Sequence, residues 1–143
     1  MIQVKEKMNT SYVKTITLVV ALANKIMKEL DFEEIINTNI TWDKAHWGIS
    51  PGKLAKALVL STFTDMRIPL THIQYRLSDM DLRYLIGEEA MEHSINALNV
   101  GRALERIGES DVNRPYETLA IAALQKYNIP TERIHSDTAT ISF

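Results

Sequence analysis

Apolar residues recur at helical spacing along most of this chain and change to strand spacing near its end. Ile16, Val19, Val20, Ala23, Ile26, Met27 and Leu30 follow the i, i+3, i+4, i+7 pattern. They predict a helix with one apolar face, with Lys25, Lys28 and Glu29 on the other side. A short second helix is expected over Phe32–Asn37, capped by Asp31. Residues 38–49 contain Asn39, Thr41, Asp43 and Gly48 and read as a loop. Its two tryptophans, Trp42 and Trp47, either pin it to the helical core or form a stacking or partner-binding surface.

Ser50-Pro51-Gly52-Lys53 is a helix start. Serine caps free amides, and proline has the φ that the first helical position needs. That helix is expected to run through Leu54, Ala57, Leu58 and Ser61 to about Asp65. Val59 and Leu60 widen its apolar surface, as expected of the central helix of a bundle. Arg67-Ile68-Pro69-Leu70 interrupts the pattern, and Leu70, Ile73, Tyr75 and Leu77 carry the next helix to Ser78. A further short helix spans Asp81 to Ile86 and is closed by Gly87. Asn96 to Ile107 follows, with Val100, Ala103, Leu104 and Ile107 on one face and Gly108 as its stop. Pro115 opens the last helix, whose Leu119, Ala122, Ala123 and Tyr127 face inward and which ends at 128–130.

After Pro130 the period becomes two. Arg133, His135, Asp137, Ala139 and Ile141 alternate with Ile134, Ser136, Thr138, Thr140 and Ser142, which predicts a β-strand. A lone strand leaves its backbone groups unpaired, so this element reads as the beginning of a sheet. The expected fold class is therefore mainly α: a flexible arm over 1–15, a helical bundle over 16–130, and one C-terminal β-strand over 131–143.

Composition narrows the function classes. A chain of 143 residues with 45% hydrophobic and 24% charged residues suits a single folded domain. It has no cysteine, which excludes disulfides, thiolate metal sites and a cysteine nucleophile, and suits a cytoplasmic location. The net charge of -2 supplies no overall attraction to nucleic acid and leaves that role to a local basic face. The longest apolar stretch, Leu18 to Ala23, is far too short to span a bilayer, so no membrane partner is expected.

Two groups of residues could carry chemistry. Asp137 lies inside the predicted strand, where aspartate is disfavoured, and His135 points to the same face. The pair fits part of a divalent-metal site, or else a solvent-facing edge. His46, His72 and His93 have no partner at metal-ligand spacing. Lys44, His46, Lys53 and Lys56 surround the start of the central helix, and Arg67, His72 and Arg76 follow it. Lys53 and Lys56 share one side near a helix N-terminus, where amides also favour phosphate, and with Arg67 they are candidate DNA contacts. The alternative is a solvated helix face.

Four passages give the chain a family likeness. These are Trp42-Asp43 with Ile49-Ser50-Pro51-Gly52; Ala57-Leu58-Val59-Leu60 with Arg67-Ile68-Pro69-Leu70; Gly101-Arg102-Ala103-Leu104-Glu105-Arg106; and His135-Ser136-Asp137-Thr138. In this order they resemble the N-terminal region of DDE-type insertion-sequence transposases, in the branch whose helical leader is a domain of unknown function. Ala97 and Leu98 replace acidic residues frequent in that family, and Ala139 replaces a threonine.

The resemblance implies an RNase H-like core in which three acidic residues bind two divalent metal ions, Mg2+ or Mn2+, for strand transfer on DNA. Asp137 matches the first of the three, and the other two are expected beyond this sequence. One carboxylate is a fraction of such a ligand set, so this chain alone is expected to be inactive. The helical part is expected to bind transposon-end DNA or to pair protomers, with a homo-oligomer in the full-length protein. The alternative is a self-contained helical interaction or regulatory module whose terminal strand pairs with a partner chain.

Overall fold

Ser50 starts the helix around which the others pack. In the computed structural model, which describes residues 16–64, 69–78, 80–87 and 94–132, the Ser50 hydroxyl accepts from the Lys53 amide and Pro51 takes the first helical position. This helix, α3 (Pro51–Ser61), buries Leu54, Ala55, Ala57 and Leu60. The other α-helices are α1 (Leu18–Glu29), α2 (Phe32–Asn39), α4 (Ile73–Leu77), α5 (Leu82–Ile86), α6 (Ala97–Glu109) and α7 (Asn113–Lys126). A 3-10 turn, Leu70–His72, leads into α4. Helix α3 touches α1, α2, α4, α5 and α6, so it is the central helix that the apolar pattern predicts. The described fold is mainly helical, and the described residues contain no strand.

Local chemistry sets most of the boundaries. Thr17 caps α1, Asp81 caps α5 and Asn96 caps α6, each accepting from an amide in the first turn. Gly87 ends α5 at φ 100, a backbone conformation that glycine adopts without strain. Asp31 stands at the N-cap of α2, but its φ is 51 and its side chain caps nothing. Gly108 lies inside α6, which continues to Glu109. An isolated glycine costs a helix about 1 kcal/mol and does not by itself stop it. Pro115 is the third residue of α7 and is buried.

The apolar face of α1 is wider than its contact. Val20 and Asn24 are buried, and Ile16, Ala23 and Met27 pack against the core. Val19 and Ile26, expected on that face, are 55% and 39% exposed. Asn24 takes an inward position that a hydrophobic pattern cannot reveal, and its Oδ1 has no hydrogen-bond partner among the described residues. Leu104 and Tyr127, also expected inside, are 40% and 43% exposed.

The arm over 1–15, Arg67, and the predicted strand with His135 and Asp137 lie outside the described residues. So does the end of α3 expected near Asp65; the described helix ends at Ser61. Among the described residues no helix is long and apolar enough to cross a membrane.

Candidate functional site

The start of α3 was expected to offer phosphate both lysines and free amides. The structure places those groups differently. Asn37 of α2 accepts from the Gly52 amide through Oδ1 at 2.8 Å and donates through Nδ2 to the Ser50 hydroxyl at 3.2 Å. The Lys53 amide is taken by Ser50. Side chains therefore satisfy two of the first amides of α3, and these donors are not left for an anion. The approach of α2 is close enough that a Cβ on Gly52 would sit 2.4 Å from the Glu33 carbonyl oxygen. Only glycine fits there.

Lys56 corrects the sequence reading. It is 2% exposed, and its Nζ donates to Glu33 Oε1 at 2.7 Å. Its charge is spent inside the protein, because a buried ammonium without a partner would carry a large desolvation cost. Lys53 is half-buried, at the edge of a groove of about 440 Å³ between α2 and α3. Lys28, Lys53 and Lys56 face Asp31, Glu33 and Glu34 across that groove. The charges balance, so the groove has no net pull on DNA.

A second groove, of about 350 Å³, lies between the tryptophan loop and α6. Its walls are His46, Trp47 and Gly48 on one side and Asn99, Arg102, Glu105 and Arg106 on the other, with Ile49 and Leu54 also lining it. The loop is held in place. Trp42 donates through Nε1 to the Asn37 carbonyl at 3.1 Å, and Trp47 packs edge-on to Trp42 and against the core. The tryptophans thus pin the loop, the first of the two roles open to them. The Ala45 amide and, after it, His46 bind the Asp43 carboxylate and hold it below its usual pKa.

Helix α6 supplies the cations of this groove. It buries Val100 and Ala103 against α3 and turns Arg102 and Arg106 outward, four residues apart on one face. Arg106 pairs with Glu109 at 2.8 Å, and both side chains are more than half exposed. Such a surface pair is weak and can exchange for another anion. Arg102 has no ion-pair partner among the described residues. The groove joins Trp42–Gly52 to Gly101–Arg106, passages about fifty residues apart in sequence that both carry the family likeness. Both passages are legible in the sequence, whereas Arg102 and Arg106 stand out there as site residues only by their i, i+4 spacing.

Among the described residues no three His, Asp or Glu side chains come together in a way that could hold a metal ion. A family model described as "Domain of unknown function (DUF4277)" matches residues 11–121. No curated protein and no solved structure matched the chain.

Proposed function

We propose, from the premise that this chain belongs to the DUF4277 family of domains of unknown function, that it is the N-terminal region of a DDE-type insertion-sequence transposase. Its helical part acts at transposon ends, and Asp137 is the first of three acidic residues of the strand-transfer site. The observation that carries this reading is the groove between the tryptophan loop and α6, where two of the family-like passages meet and present two arginines. The third described passage, Ala57–Leu60, lies in α3 beneath them. Asp137 would hold divalent metal only together with the two other carboxylates, since two metal ions need several such ligands. Metal ions, when bound, would supply charge neutralisation and an activated nucleophile; what this chain adds is one carboxylate.

The test uses the purified chain and DNA from the ends of the element in its source genome. Salt-sensitive binding, with no cleavage in Mg2+ or Mn2+, is the expected result. No binding at low salt sinks the DNA role of the helical part. Metal-dependent nicking that disappears in Asp137→Ala sinks the single-ligand assignment.

Protomer pairing is the second reading, and one observation favours it. Leu18, Val19, Leu22 and Ile26 form an apolar stripe on α1 and are 84%, 55%, 56% and 39% exposed. Exposed apolar residues gathered on one helix favour a partner that covers them.

A further inference from the structure

We infer that the groove between the tryptophan loop and α6 binds the sugar–phosphate backbone of DNA, with Arg102 and Arg106 as its phosphate contacts. The inference rests on the DNA-contact reading above and gives it an address. Guanidinium groups suit this role because their donors form a fixed fork that matches phosphate oxygens. The two arginines stand one helical turn apart on the exposed side of α6. One is unpaired among the described residues, and the other is held only by a surface pair with Glu109.

The size of the groove limits its ligand. At about 350 Å³ it lies near the lower end of small-molecule sites and suits one backbone unit better than a large cofactor. Its apolar lining, Ile49 and Leu54, is buried and offers no hydrogen bonds from side chains.

The two arginines are assigned to the backbone, and Asn99 is the lining asparagine that could meet a base edge. Direct base reading by asparagine needs both carboxamide groups at once. Asn99 Nδ2 already donates one of its two hydrogens to the Ser94 carbonyl at 2.7 Å, which ties this side chain to the turn before α6. Contacts from Arg102 and Arg106 to phosphate carry no sequence information and position the protein on the duplex. Glu105 lies between the two arginines along the chain and lines the same groove. Its carboxylate opposes a phosphate and holds affinity below what the arginines alone would give.

Fluorescence anisotropy with a labelled random-sequence duplex tests this in the full chain. Arg102→Ala with Arg106→Ala should weaken binding at low salt by about tenfold or more for each arginine. The slope of log affinity against log salt should become shallower by about two. Glu105→Gln should bind more tightly, a gain that misfolding cannot produce. Arg114→Ala, on α7, serves as the control and should bind as the parent does. If the parent binds the duplex and the double variant binds equally, the groove assignment is wrong and the DNA reading stands. Failure of the parent to bind either this duplex or transposon-end DNA overturns both. A groove that takes inorganic phosphate, detected by NMR shifts of α6, while the variants leave DNA affinity unchanged also overturns the inference.

Discussion

Lys56 Nζ and Glu33 Oε1 lie 2.7 Å apart, and this pair joins the middle of α3 to the first turn of α2. Lys56 is 2% exposed, whereas the Glu33 side chain is 30% exposed. The pair is therefore buried at one end and wetted at the other. Removing the carboxylate leaves a buried ammonium, whereas removing both charges leaves packing. Glu33→Gln should cost about 2–3 kcal/mol, less than a fully buried pair because water reaches Glu33. Glu33→Gln combined with Lys56→Met should recover most of that loss. Urea denaturation of the three proteins checks this, and a double variant no more stable than Glu33→Gln contradicts it.

Gly52 should resist substitution more than any exposed glycine. Its absent Cβ is what lets the Glu33 carbonyl approach, and the obstacle is backbone, which cannot rotate away. Gly52→Ala should destabilise by about 2–4 kcal/mol, through overpacking and a displaced α2. Gly101→Ala, where an added Cβ meets nothing within 4 Å, should be neutral or slightly stabilising. Thermal melts of the two variants give the comparison.

Glu29 and Tyr127 link the ends of α1 and α7. The Tyr127 hydroxyl donates to Glu29 Oε2 at 2.8 Å. This bond lowers the Glu29 pKa from its ordinary 4.5 and raises that of Tyr127 from 10.0. The sign follows from each direction. The lowered carboxyl adds stability that is present above pH 4.5 and is lost as pH falls through its folded value. The raised phenol adds stability that is present below pH 10.0 and is lost as pH rises through its folded value. Tyr127→Phe should remove the alkaline dependence and reduce the acid one, because Lys25 and Lys126 still favour the Glu29 carboxylate. A pH series of melting temperatures shows whether the difference from the parent vanishes at the acid and alkaline ends.

The stripe on α1 makes a prediction about assembly. Val19, Leu22 and Ile26 are spaced by three and four residues, the spacing by which one helix packs on another. If a second copy covers it, Leu22→Glu should shift the purified chain toward monomer in analytical ultracentrifugation. Helicity by circular dichroism should not change, because Leu22 is 56% exposed. A chain that is monomeric before substitution refutes protomer pairing through this face.

Much of the helical order was legible along the chain. Ser50-Pro51, Asp81, Asn96 and Gly87 act on their own neighbours, so their positions fix helix ends whatever packs against them. The central role of α3 was legible too, because an apolar surface as wide as Leu54 to Leu60 needs neighbours on several sides. Val19, Ile26 and Leu104 fit the apolar pattern and yet are exposed, since a periodic pattern gives the apolar arc of a helix but not the part that a neighbour covers.

The start of α3 draws the same division. The sequence by itself determined that Lys53 and Lys56 stand near a capped helix start and that Arg102 and Arg106 share a helix face. Only the tertiary structure decided which of these charges remain on the surface. Helix α2 brings Glu33 to Lys56 and Asn37 to the Gly52 amide, and so removes a lysine and a helix-end donor from any anion. The tryptophan loop meets α6 and makes a groove around the arginines instead. Spacing along a helix is local geometry, whereas the fate of a charge depends on its dielectric surroundings and on partners that only folding brings near.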